Sequence, residues 1–387
     1  MGKLMNPYPS YKPTNIEWIG NIPEHWSCKR LKRFAKICNG QDAKEVLDEN
    51  GEFPIIGTGG EFGRANKFLH LGKSVILGRK GTIDKPQYLE TPFWSVDTAY
   101  YTEIFDSTFP KFFYYLCTTI QFDFYRYGSA VPSMTQEALN HILFPSPLLS
   151  EQIAIANYLD HKTALINMLI ADKQKLIELF KEERTAIINE AVSGEGKGWK
   201  RTKLKYVLSN HDYVRVPLSA EQRGDMEKTY DYYGASGIID KVDNFLFDGE
   251  YILIGEDGAN LLTRNSALAF KAKGKFWVNN HAHILKPKNG NIDFFVHLLE
   301  SIDYTIWITG SAQPKLTAEN LFNIELIIPS EDEQNQIVLH IHKEIQRINN
   351  TISDIETEIK LLKEYRTALI SEVVTGKISV SDFTPSK

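Results

Sequence analysis

The chain has 387 residues, 42% of them hydrophobic and 12% aromatic, with a formal net charge of −5. That composition excludes intrinsic disorder, and the charge argues against wholesale coating of nucleic acid while leaving room for a local basic surface. No apolar run reaches the roughly 18 residues of a membrane span and no apolar signal region is present. Cys28, Cys38 and Cys117 are too few and too scattered for a disulfide framework or zinc cage, so a reducing cytoplasm is the expected compartment.

In chain order, a Pro-rich stretch (Tyr8 to Pro13) leads into Ile16-Glu17-Trp18-Ile19-Gly20-Asn21-Ile22-Pro23-Glu24-His25-Trp26, which suits an extended arm pinning its apolar residues onto a domain. The densest basic cluster follows: Lys29, Arg30, Lys32, Arg33 and Lys36, either a solvated face or a phosphate-contacting one. Short strand-like runs at Pro54 to Gly57, Ser74 to Gly78 and Phe93 to Val96 are punctuated by glycines. An aromatic-rich segment, residues 111–125, is expected to be helical. A loop beginning Gly128-Ser129-Ala130-Val131-Pro132-Ser133 then leads to a long amphipathic stretch, residues 150–194.

The same programme then recurs. Trp199 to Lys205 answers the basic segment after Trp26, and Gly249, Gly255 and Gly258 answer Gly72, Gly78 and Gly81, each 177 residues on. The loop Gly310-Ser311-Ala312-Gln313-Pro314-Lys315 answers the Gly128 loop at an offset of 182. Glu151-Gln152 and Arg184-Thr185-Ala186 return at the same offset as Glu333-Gln334 and Arg366-Thr367-Ala368. A duplication of domain plus helix is implied. The expected boundaries are 1–149 (first domain), 150–194 (helix), 195–329 (second domain), 330–376 (helix) and 377–387 (tail).

Both long stretches carry a seam of period 3.5. Its members are Leu159, Thr163, Ile166, Ile170, Lys173, Ile177, Phe180, Arg184, Ile187 and Ala191 in the first copy. In the second they are Ile341, Ile345, Ile348, Ile352, Ile355, Ile359, Leu362, Arg366, Leu369 and Val373. Two readings follow: helices buried in separate domains, or helices paired with each other. The length, far above the roughly 11–12 residues of a mean helix, favours pairing. Ser150 and Ser330 are expected N-caps, and Gly194 and Gly376 expected left-handed C′ residues.

No catalytic constellation is present. Gly78-Arg79-Lys80-Gly81-Thr82 and Gly255-Glu256-Asp257-Gly258 have glycines that could cradle phosphate or simply make tight turns, and neither has a Walker or dinucleotide fingerprint. His281 and His283 lie two apart with no third ligand suggested, which disfavours a metal pair. A shared frame with different polar side chains at the loop tips suggests two recognition surfaces for different targets.

The Ile16 to Trp26 opening, the paired Gly-Ser-Ala-x-Pro loops and the Glu-Gln-led helices ending in Arg-Thr-Ala resemble the specificity subunits of type I restriction–modification enzymes, over essentially the whole chain. The resemblance implies an α+β fold with two strand-rich target-recognition domains, separated by two long helices in an antiparallel coiled coil. It implies a non-catalytic DNA-recognition subunit that reads a split site, one half per domain. Two methyltransferase subunits and motor-nuclease subunits would dock on it, with S-adenosylmethionine, ATP and Mg used by those partners and no cofactor held by this chain. Candidate DNA-contacting residues are Lys29, Arg30, Lys32, Arg33, Arg79, Lys80, Thr82, Lys85, Ser129, Ser133, Lys203, Asn260, Arg264, Asn280, Gln313 and Lys315. Candidate scaffold residues are Ile166, Phe180, Arg184, Ile348, Leu362 and Arg366. The acidic Glu256-Asp257 turn departs from a DNA-contacting pattern. A stand-alone DNA-binding regulator and a protein-only coiled-coil adaptor are the alternative readings.

Overall fold

The computed structural model describes residues 7–128, 130–310, 313–381 and Phe383. Two compact units are present. One comprises the residues up to Lys173 together with those from Glu356 on, and the other is Gln174–Ile355.

In the first unit the opening arm forms a small hairpin, Tyr11–Pro13 with Asn21–Pro23, and buries Ile19, Ile22 and Trp26. The glycine-punctuated strands make two sheets. Four strands run in the order Ala35–Asn39, Ala99–Ile104, Ser74–Gly78, Gln87–Leu89; three run Gly60–Ala65, Phe53–Gly57, Trp94–Ser95. Ser74–Gly78 is buried throughout, as expected of a Val-Ile-Leu run in the middle of a domain. The aromatic segment is α-helical over Pro110–Thr118 and resumes as a short 3-10 turn over Phe122–Phe124, in place of one helix over the expected 111–125. Thr118 and Thr119 donate their hydroxyls to the carbonyls of Tyr115 and Leu116, so local side-chain bonds compete with another turn of helix.

The second unit has one six-stranded sheet, ordered Leu208–Asn210, Ala282–Pro287, Phe247–Gly255, Ala269–Val278, Tyr230–Gly234, Gly237–Val242. Here the ten-residue strand Ala269–Val278 does the work of two short strands in the first unit. Between those two, Gln87–Leu89 and Trp94–Ser95, stands Pro92, which cannot donate to a ladder. In both units a parallel pairing joins the hairpin to a tryptophan: Ile55 with Trp94, and Tyr232 with Trp277.

The long helices are Leu149–Val192 and Glu331–Val374, 44 residues each and so roughly 66 Å at about 1.5 Å per residue. Every seam position is buried or half-buried, including Ile166, Phe180, Ile348 and Leu362. In the first unit, Asn167 and Lys173 of the first helix meet Arg366 and Glu358 of the second. In the second unit, Glu183 and Arg184 meet Arg347 and Asn349. As numbers rise along one helix they fall along the other, so the helices pair antiparallel.

Two expected end signals differ from what is found. Ser330 caps its helix, its Oγ accepting from Glu333 N at 3.4 Å while Ser330 N donates to Glu333 Oε2 at 3.0 Å, but Ser150 lies inside the first turn. The position equivalent to Ser330 is Leu148, whose amide donates to Glu151 Oε2 at 3.3 Å. Gly376 is left-handed at φ 75°, whereas Gly194 has no positive φ. Gly194 is glycine for space, since a Cβ there would stand 2.5 Å from Ile327 Cγ2.

The Glu-Gln pair fastens each domain to its helix. Gln152 Oε1 accepts from Phe109 N at 2.8 Å and its Nε2 donates to Pro147 O at 3.1 Å. Gln334 repeats this with Asn291 N at 2.9 Å and Pro329 O at 3.2 Å.

Candidate nucleic-acid interface

Each unit brings its glycine turn against its later loop by the same backbone bonds. In the first, Gly81 N donates to Pro132 O at 2.9 Å and Met134 N to Arg79 O at 3.0 Å. In the second, Gly258 N donates to Pro314 O at 3.1 Å and Leu316 N to Glu256 O at 2.8 Å. Gly81 and Gly258 have φ of 87° and 101°, a backbone that favours glycine. Two segments about 50 residues apart thus form one surface twice over.

The side chains behind this junction differ in sign. In the first unit the Tyr100 hydroxyl donates to Met134 O at 3.2 Å, and the Arg79 guanidinium lies 6.0 Å from the Tyr100 ring centre. Burial pushes the Tyr100 hydroxyl's pKa up, against the opposing pull of Arg79. In the second unit the equivalent residues are Glu256 and His283. His283 Nε2 donates to Leu316 O at 2.8 Å, and its Nδ1 lies 2.7 Å from Asp212 Oδ2. Glu256 is bound by Arg215 at 2.6 Å and by Lys315 at 3.1 Å. Burial alone would raise the Asp212 and Glu256 carboxyls, but hydrogen bonds and nearby cations outweigh it and hold both below the usual range. The acidic turn is therefore neutralised from within, and Asp257 accepts from His281 at 2.9 Å.

Of the candidate contacts, Arg79, Lys80, Thr82 and Ser133 come together at the first junction, with Lys85 exposed just beyond it. Ser133 is buried and bonded to Tyr127 through its backbone, so its place there is structural. Ser129 lies outside the described residues. Lys29, Arg30, Lys32 and Arg33 are exposed, but they precede strand Ala35–Asn39, whose far end is the one near the junction. That separates them from the turn by about 17 Å of strand. Arg30 and Lys203 are equivalents, each at the end of a strand paired with the one that enters a long helix.

At the second junction Gln313 and Asn280 are exposed, and Lys315 is committed to Glu256. Asn260 bonds Ser266 through both ends of its amide, at 3.0 Å each, and pins that loop. Arg264 donates to Ile302 O at 3.0 Å, closing the end of helix Ile292–Ser301. Sequence reasoning missed Tyr100, Asp212 and Arg215. Only the equivalence of Tyr100 with His283 was open to it, since the contacts of Asp212 and Arg215 join residues more than 40 positions apart. No group of His, Cys, Asp and Glu among the described residues could hold a metal ion, and no described helix is long and apolar enough to cross a membrane.

The family described as "Type I restriction modification DNA specificity domain" matches residues 23–179 and again 197–361. The chain belongs to that family. A putative type I restriction enzyme specificity subunit of Haemophilus influenzae is 33% identical over 159 residues, covering 41% of this chain and 40% of that protein. The chain thus spans less than half of that relative. The EcoprrI specificity subunit of Escherichia coli is 24% identical over 319 residues, 77% of this chain and 75% of that one. A solved chain described under "complex assembly and conformational transition of the type I R-M system" covers 92% of this chain and 99% of its own, at a TM-score of 0.68 and 12% identity. At that identity the likeness concerns the fold: two α+β family domains and two long helices.

Proposed function

We propose that this family member is the non-catalytic DNA-recognition subunit of a cytoplasmic type I restriction–modification complex, reading a split site with one half-site per globular unit. The observation that carries the reading is the twice-built junction of turn and loop, with Arg79 and Lys80 at one copy and an internally neutralised acidic turn at the other. One frame with two side-chain sets is what two different half-sites require. Lys29 to Arg33 and Lys203 supply phosphate contacts that position each unit. The paired helices offer repeated surfaces to two methyltransferase subunits, with motor-nuclease subunits joining them. S-adenosylmethionine, ATP and Mg belong to those partners. Mapping modified bases in a host carrying this chain and its partners should return a split site with a nonspecific spacer; one contiguous site would overturn the reading.

A further inference from the structure

Each unit carries a two-residue hairpin beside the junction, and each hairpin is bulged at the same place. Ile55 pairs with Gly63 and Ile56 with Glu61, leaving Phe62 as the extra residue. Tyr232 pairs with Asp240 and Tyr233 with Ile238, leaving Ile239 as the extra residue. Phe62 and Ile239 are equivalent, 177 residues apart. A bulge re-aims a side chain and is common beside functional sites. Here both re-aimed side chains are large and apolar, and both face solvent: Phe62 is 63% and Ile239 55% exposed.

Local packing accounts for only part of each side chain. Phe62 lies over Gly57, where a Cβ would stand 3.2 Å away, and Ile239 lies over Gly234 at 3.0 Å. Covering a glycine needs one face of the side chain and leaves the rest in water. Edge strands are commonly guarded by charged side chains, yet both diverged copies keep an apolar one at this bulge. The hairpin tips also touch the glycine turns. Thr58 Oγ1 is 3.6 Å from where a Cβ of Gly81 would be, and Ala235 O is 3.2 Å from that of Gly255. Phe62 lines one hollow with Asp97 and Thr98, and Arg79 donates to Asp97 O at 3.1 Å, so Phe62 and Arg79 share a surface.

We propose that Phe62 and Ile239 are apolar base-contacting residues, each laid against the 5-methyl group of a thymine in the half-site its unit reads. This rests on the recognition-subunit reading. The chemistry follows from the groove: base edges there offer hydrogen-bonding groups and, as their apolar group, the thymine methyl. In the first unit the adjoining Arg79 and Lys80 suit the phosphates that flank it.

The test uses the chain assembled with its methyltransferase partners and duplexes carrying the mapped site. Phe62→Ala should weaken specific binding about tenfold, the weight of one good base contact, and leave nonspecific binding unchanged. That loss should vanish when thymine is replaced by uracil in one half-site, and persist when uracil is placed in the other. Ile239→Ala should show the reciprocal pattern, and Phe62→Leu should retain most of the affinity while proving the hairpin folded. Wild-type affinity in both alanine variants, a loss indifferent to uracil, or loss of partner subunits in place of DNA would each overturn the assignment. Absence of any site-specific binding by the wild-type complex would instead bring down the recognition reading itself.

Discussion

Arg184 donates from its guanidinium to Asn349 Oδ1 at 3.2 Å, across the two long helices. Arg366 bonds Asn167 in the same way, and each member of one pair lies 182 residues from its equivalent in the other. The two seam breaks are therefore a matched polar pair repeated by the duplication. Polar residues in an apolar seam fix register at some cost in stability. Arg184→Ala should destabilise the chain by about 1 kcal/mol, the net worth of one hydrogen bond, in urea unfolding. Replacing Arg184 and Asn349 together by Leu should recover that loss, and failure to recover it would remove the register argument.

Gln334 and Gln152 make the stronger demand. Gln334→Ala would leave the Asn291 amide without its acceptor at the start of helix Ile292–Ser301. A cost of about 1–3 kcal/mol is expected, with faster amide exchange at the head of that helix. Unchanged exchange there would show that the clamp is dispensable.

Asp212 and Glu256 have folded pKa values below their ordinary ones, so they stabilise the fold above the usual carboxylate range. That contribution fades as pH falls through about 4 and into the depressed values. Amide exchange of the second junction should accelerate on acidification. Asp212→Asn should flatten the response; a variant with the wild-type acid profile would contradict it.

At the first junction Arg79→Ala and Lys80→Ala should each lower the slope of log affinity against log salt by about 1 if the cation meets phosphate. Lys315→Ala should leave the slope nearly untouched, because its ammonium is already paired with Glu256. Arg79 gives one N–H to Asp97 O at 3.1 Å, a carbonyl that leaves its charge uncancelled, so equal slopes for all three would refute the distinction between ion-paired Lys315 and the other two cations.

Much of this was legible in the sequence. Period 3.5 marked the seam residue by residue, because each long helix turns one continuous stripe towards the other. Constant offsets exposed the duplicated turns and loops. What stayed hidden depended on contacts distant in sequence. Gly194 reads as a helix stop, but it is small because Ile327 stands over it. Asn260 and Arg264 read as base contacts, yet they spend their donors on Ser266, Ile302 and Glu300. Phe62 and Ile239 were invisible because a bulge changes which way a strand residue points without changing the residue pattern.

The interruption at Pro92 has a mechanical consequence. In the first unit, the hairpin carrying Phe62 joins its neighbouring strand through the short parallel pairing of Ile55 with Trp94 and Ile56 with Ser95. In the second, the corresponding hairpin pairs with the ten-residue strand Ala269–Val278, which continues into the main sheet. The first hairpin is therefore held to its main sheet by packing, Ile56 against Ile76 and Ala99, whereas the second is bound to its sheet through one unbroken strand.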